Sequence, residues 1–268
     1  MRLVFGLLKQ DEVAGMSDAL AHFCERLSKK TGHEVVALEV PKYEGLSEAL
    51  ESRTAQLAWL PPLLHMKTDP RAAIPLVSAR RGGEDSYESV LVASKGSTIK
   101  SMDDLAQKRA AWVDPWSAAG FVVPRIWLDQ HGYDPRKLFR TEVFFGAHTL
   151  SVKAILEGVA DVAGTFARFG KDGEVKTGGW RRVEGAEMQV VQRFGVIPPD
   201  TICVSSTLDG PTISMMEHAF VSMKDDADAK KWIHTIFGAD EFITRVEGNY
   251  GDLRRSFESA QAKGLFGA

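Results

Sequence analysis

Two cysteines, Cys24 and Cys203, are all that this chain of 268 residues contains, which supports neither a disulfide framework nor a cysteine-ligated metal site. Cys24 falls in a helical pattern and Cys203 in an apolar strand pattern, so both read as buried free thiols. No apolar run approaches the roughly 20 residues that cross a bilayer. The 33 basic and 36 acidic side chains leave a formal charge of −3. No Lys/Arg stripe with interleaved aromatics marks a nucleic-acid surface, and Arg80-Arg81, Arg181-Arg182 and Arg254-Arg255 read as solvated pairs. Also missing are Gly-x-Ser-x-Gly, His-Glu-x-x-His, a phosphate loop and any nucleophile–base pair at recognisable spacing. The chain shows no internal repeat and no low-complexity stretch. These absences argue against membrane insertion, nucleic-acid binding, a bound cofactor and catalysis.

At 44% apolar and 26% charged residues, the composition is that of a globular protein, long enough for one large domain or two ordinary ones. Short apolar runs alternate with helical patterns, which predicts α/β units around mainly parallel sheets. Strands are expected at Arg2 to Leu8, Glu34 to Val40, Gln56 to Leu60 and Ala73 to Ala79. Helices are expected at Ala14 to Lys30 and Tyr43 to Ser52, the first with Ala14, Leu20, Phe23, Cys24 and Leu27 on one buried face. A second region begins at Val90 to Ala93 and runs to about Val196. The chain then passes Ile197-Pro198-Pro199-Asp200 into a strand at Ile202 to Ser205, with helical segments to the end. Two lobes joined by a two-stranded hinge are implied by this order: residues 1–88 with 201–268, and residues 89–200, with the hinge near 86–92 and 197–204. Such a topology closes on ligands by hinge motion.

Residues 109 to 166 carry the functional signal. Asp114-Pro115-Trp116-Ser117-Ala118-Ala119-Gly120 ends a strand and opens a helix over Phe121 to Leu128. Phe144-Phe145-Gly146-Ala147-His148 does the same before Thr149 to Gly158. A helix start presents unpaired N–H groups and a partial positive charge, so two of them converging would grip a carboxylate, sulfate or phosphoryl group. Ser117 is placed to cap its helix, and the imidazole of His148 can donate to an anion.

With Tyr43, Ala58-Trp59, Tyr87-Glu88-Ser89-Val90-Leu91-Val92, Ser101-Met102-Asp103-Asp104-Leu105, Pro124 and Gly158-Val159-Ala160-Asp161-Val162, these segments resemble the phosphate/phosphite/phosphonate-binding proteins of ABC importers over most of residues 1 to 205. The resemblance implies a two-lobed type 2 periplasmic-binding-protein fold, a ligand between the lobes, a membrane permease as partner, a monomer and a periplasmic location. It places Tyr43, Tyr87, Ser117 and His148 at the ligand and Asp200 near it, Asp200 either shaping its turn or binding a ligand amine. Trp59 and Trp116 either wall the site or belong to the core.

The chain departs from that pattern where it matters. Ala118 and Ala119 stand where phosphonate binders carry hydroxyls, and hydrogen bonds to a charged acceptor contribute roughly 1.5–3 kcal/mol each. Two such losses weaken a phosphonate complex by roughly 100- to 10,000-fold. Phe166 likewise puts an aromatic where a polar contact is expected. A carboxylate, sulfonate or aromatic anion therefore fits as well as a phosphonate. Met1-Arg2 runs straight into Leu3 to Leu8, too short and without the cleavage site of a signal peptide. The expectation is a cytoplasmic chain if Met1 is the native start, and a periplasmic one if the chain is a mature domain with an added methionine. The alternative function is a cytoplasmic enzyme or ligand sensor on the same fold.

Overall fold

The alternation of strand and helix is realised in a computed structural model that describes residues 1–9, 13–245 and 250–266. In chain order the elements are β1 (Arg2–Leu8), α1 (Met16–Thr31), β2 (Glu34–Val40), α2 (Glu44–Glu51), β3 (Leu57–Leu60), α3 (Pro62–Lys67), β4 (Ala73–Arg80), β5 (Tyr87–Ser94), β6 (Arg109–Trp112), α4 (Val123–Gln130), β7 (Thr141–Phe144), α5 (His148–Leu156), β8 (Val162–Phe169), β9 (Val175–Gly178), β10 (Met188–Ile197), β11 (Thr201–Ser205), α6 (Gly210–Val221), α7 (Ala227–Phe237), β12 (Glu241–Thr244) and α8 (Tyr250–Ala262). They form two compact units, residues 1–85 with 198–248 and residues 86–197 with 249–268.

The first unit is built on a sheet of order β12-β4-β11-β3-β1-β2. β1 pairs in parallel with β2, Arg2 opposite Glu34, and with β3, Phe5 opposite Leu57. The helix α1 returns between β1 and β2 because Met16, Ala19, Leu20, Phe23, Cys24 and Leu27 form one buried face, and it stops at Gly32, whose left-handed conformation donates its N–H to Ser28 O. That face meets Phe5, Phe220, Phe237 and Phe242 in a cluster of edge-on and stacked rings. Both thiols are buried as the sequence indicates. Burial pushes the Cys24 thiol up to about 12 and that of Cys203 higher still, so neither is a nucleophile near neutral pH.

The second unit's sheet has the order β10-β5-β8-β6-β7, with β9 on β8. β6 pairs in parallel with both β7 and β8, whereas β5 and β10 run antiparallel. Asp161 ties the entry of β8 to β6: its carboxylate accepts from the N–H and the guanidinium of Arg109. The Arg109 hydrogen bond holds the Asp161 carboxyl below the usual carboxylate range.

Three expectations are corrected. The sheets are mixed rather than mainly parallel, because β11 enters between β3 and β4 in the opposite sense and β5 does the same beside β8. The tail after Ser205 is not all helix, since β12 pairs with β4. Finally, the C-terminal helix does not stay with the first lobe through residue 268. Buried Arg125 of α4 requires acceptors and finds them in Leu265 O, Pro135 O and the Glu142 carboxylate, and Phe121 meets Phe266, so α8 packs on the second unit.

Gly164 of β8 allows the closest approach in this unit. A Cβ there would lie 2.6 Å from Trp112 Cε3 and 2.7 Å from Gly120 O, both held in packed structure. Gly164→Ala should therefore destabilise the protein by about 1–3 kcal/mol, read as a lower urea midpoint with an unchanged slope. An unchanged midpoint would show that the turn at Gly120 yields freely.

Candidate functional site

Two loops leave the C-terminal ends of adjacent parallel strands side by side. The β6–β7 ladder, ending with Trp112 opposite Phe144, continues past the strands as Phe145 N–H donates to Trp112 O at 2.9 Å and Gly146 N–H to Val113 O at 2.7 Å. In open α/β sheets this edge is where ligands bind.

The first loop is a sequence of local hydrogen bonds. Asp114 Oδ1 accepts from Trp116 N–H at 2.8 Å, an Asx turn, and Ser117 N–H donates to Asp114 O. Ser117 is extended and its Oγ accepts from Gly120 N–H at 3.0 Å, which is the capping role its type and position predict. Residues 118–122 then form a π-helical turn that runs into α4, a distortion frequent at functional sites. Ala118 and Ala119 are buried, and their N–H groups are the first of the helix, with no acceptor inside it. Ser89 Oγ of β5 donates to Ala119 O at 2.8 Å, fixing the turn to the sheet.

The second loop turns at Gly146, φ +83°, and α5 opens at His148 after extended Ala147. Ser151 Oγ donates back to Trp112 O at 2.9 Å, so the start of α5 is anchored to the end of β6. His148 Nδ1 lies 3.0 Å from Thr165 Oγ1, and its ring stands edge-on to Phe166 with centroids 5.0 Å apart. Phe166 in turn meets Tyr87 edge-on at 6.1 Å. Half-buried Tyr87, His148 and Phe166 thus form one continuous contact.

Arg168, two residues beyond Phe166 on the same strand face, borders this contact and lies outside the sequence motifs. Its guanidinium lies 5.6 Å from the Tyr87 ring and 5.7 Å from the Phe166 ring, and the residue is only 7% exposed. The available signal is a charged residue inside the apolar run Ala163 to Phe169, in phase with Phe166. Thr165, which positions His148, likewise lies outside those motifs.

In the first unit, Tyr43 precedes α2 at the end of β2 and meets Trp59 of β3 with centroids 6.4 Å apart. The Trp59 indole N–H is buried and has no hydrogen-bond acceptor among the described residues. Asp200 is buried, and its carboxylate accepts from Arg81, which also donates to Phe237 O and Gly238 O. Within this unit Asp200 therefore serves a structural ion pair. Among the described residues no group of His, Cys, Asp and Glu could hold a metal, and no helix is long and apolar enough to cross a membrane.

A family model described as "ABC transporter, phosphonate, periplasmic substrate-binding protein" matches residues 5–250. The chain is 26% identical over 216 residues to the phosphonates-binding periplasmic protein of Escherichia coli K12, covering 78% of this chain and 62% of that relative, so it spans less than two thirds of the relative's length. Its fold is similar to a binding protein component of an ABC phosphonate transporter from Pseudomonas aeruginosa, with TM-score 0.78 and 20% identity, covering 100% of this chain and 89% of the other. It is also similar to PhnD1 from Prochlorococcus marinus in complex with methylphosphonate, with TM-score 0.76, 17% identity and coverage of 97% and 98%. Both likenesses show the two-lobed type 2 periplasmic-binding-protein fold.

The cap of the first loop can be tested without a ligand. Ser117→Ala should cost about 0.5–2 kcal/mol in the ligand-free protein, measured by urea denaturation. A variant as stable as the parent would mean that the Ser117 hydroxyl is not a structural cap.

Proposed function

Because the chain belongs to the family of periplasmic substrate-binding proteins of phosphonate ABC transporters, we propose that it captures a small oxyanion for an importer, closing two lobes on it by hinge motion. The family is one of binding proteins rather than enzymes. In this reading the protein acts in the periplasm as a monomer, carries no cofactor and delivers its ligand to a membrane permease. The observation that carries the reading is the pair of helix starts at Ala118 and His148, held side by side by the β6–β7 ladder and its extension through Phe145 and Gly146. Their N–H groups and dipoles favour an anion between them.

The second unit supplies Ser117, Ala118 and Ala119 as the backbone cradle, with Trp116 beside them. His148 is a donor oriented by Thr165, and Tyr87 and Phe166 are walls. The first unit supplies Tyr43 and Trp59, whose buried indole N–H is a donor that an anion would satisfy. Asp200, committed to Arg81, shapes its surroundings and takes no direct ligand contact. With methyl groups at residues 118 and 119, the ligand's oxygens rest mainly on backbone amides. The ligand is thus a small phosphonate, sulfonate or carboxylate rather than one read by a row of hydroxyls.

A ligand that binds only the folded state raises the melting temperature, by the equivalent of about 2.7 kcal/mol at a hundredfold excess over Kd. A thermal-shift panel of phosphate, phosphite, methylphosphonate, alkanesulfonates and small carboxylates should yield a stabilising anion. For that anion His148→Ala and Tyr87→Phe should each raise Kd by about tenfold with the ligand-free melting temperature nearly unchanged. Unaltered affinity in both variants would place the binding site elsewhere.

A further inference from the structure

We propose that the outer edge of β2, with the groove between it and α1, is a docking surface for an extended basic segment of another protein, which adds to the first unit's sheet as a further strand. The surface lies wholly within the first unit and is independent of the anion site.

β2 ends the sheet order β12-β4-β11-β3-β1-β2, so among the described residues one side of it is paired and the other is an open edge. The ladder fixes which groups lie on that edge. Glu34 N–H donates to Met1 O, and Val40 O accepts from Lys9 N–H, with Arg2 opposite Glu34 and Leu8 opposite Val40. In a parallel pair, successive residues of a strand bond alternately toward the neighbour and away from it. Glu34, Val36, Leu38 and Val40 therefore face β1, while Val35, Ala37 and Glu39 turn their N–H and C=O groups outward. Val35 bears this out, because its N–H donates to Ser28 Oγ of α1 at 2.8 Å. Ser28 thus closes the N-terminal part of the edge. Beyond it Ala37 and Glu39, both exposed, each present an N–H and a C=O in strand geometry, the template that strand addition uses.

The side chains beside this edge select the partner. A groove of about 510 Å³ runs between α1 and β2, with Leu20, Cys24 and Val35 as its floor and small Ser17 and Ala21 on the helix flank. Among the described residues that line it, the charged ones are Glu25 and Glu39. Glu25 already holds Lys29 at 2.6 Å in an exposed pair on the helix, so Glu39 is the principal anchor for a base. An added strand points alternate side chains to one face of the sheet. An apolar side chain on that face covers the floor of the groove, and a lysine or arginine two residues away reaches Glu39. The charged residues of β2 itself are Glu34 and Glu39. A second copy of this chain laid on the edge would bring acid to acid, and like charges disfavour strand pairing. The charge therefore selects a different, basic partner.

Fluorescence anisotropy on the purified chain tests this with the dye-labelled peptide Lys-Thr-Val-Thr-Lys and with the same peptide carrying Glu in place of both Lys. The sequence reads alike in both directions, so parallel and antiparallel addition are both covered. The basic peptide should bind saturably and about tenfold or more tightly than the acidic one. Ala37→Pro should weaken it by about tenfold or more, because proline removes an outward N–H and leaves the bonds to β1 in place. Glu39→Lys should reduce the preference to within about threefold or reverse it. If the proline variant does not fold, as judged by circular dichroism and melting, Glu39→Lys carries the test, since it exchanges one exposed side chain. No saturable binding of the basic peptide, equal affinity for the two peptides, or binding and preference unchanged in the folded variants would overturn the docking surface and leave the anion site standing.

Discussion

The parallel pairing of β6 with β7 is the constraint on which the proposed site depends. Neighbouring strands lie about 4.8 Å apart, so the segments just beyond their C-terminal ends are brought together by the pairing itself. In this protein both of those segments open helices, and the backbone bonds from Phe145 and Gly146 to the carbonyls of Trp112 and Val113 keep the loops in register beyond the strands. The rest of the second unit fixes this edge. Trp112 fills the space under the loops with Phe121 and Phe139 packed edge-on against it. Gly164 lets β8 approach the turn at Gly120, and Ser89 and Ser151 fasten the loops to the sheet through single hydroxyls. Function in such a site comes from backbone groups that the fold cannot avoid exposing, with side chains adjusting which anion they prefer.

The proposed site combines few hydroxyls with several rings. Ala118 and Ala119 remove side-chain donors, while the backbone donors remain, because a helix start presents its N–H groups whatever the side chains are. Tyr87, Phe166, Trp59 and Tyr43 form two ring pairs, one in each unit. Rings exclude water and lower the local dielectric, which strengthens each remaining polar contact. In such surroundings the imidazole of His148 counts for more than it would on a wet surface.

Much of this is legible in the sequence where the signal is local. β1 and β2 are short apolar runs with the bounds the pattern indicates, and α1 shows its buried face at Leu20, Phe23, Cys24 and Leu27, whereas Ala14, expected on that face, lies before the helix and is exposed. The helix starts at Ser117 and His148 are readable as a capping residue before an apolar-periodic run and a glycine turn before another. The features that are not legible depend on contacts far apart in the chain. The direction of β11 and the strand character of four-residue β12 are decided by β4. The docking of α8 is decided by the acceptors that buried Arg125 requires. α3 is hidden behind Pro61-Pro62, which ends a strand and in the same step opens a helix, because proline is favourable at the first helical turn, where Pro62 sits. Arg168 lies one alternation beyond Phe166, past the end of the segment that carries the anion-binding motifs.

The most direct test of the central claim is an amide nitrogen–proton correlation spectrum of the deuterated chain during titration with the best-binding anion of the thermal-shift panel. The account predicts that the amides of Ala118, Ala119, Thr149 and Leu150, at the two helix starts, move downfield together and saturate at a single affinity, as N–H groups do when they donate to an oxyanion. Saturable shifts confined to other surfaces, with these amides unmoved, would contradict the claim that the paired helix starts hold the ligand.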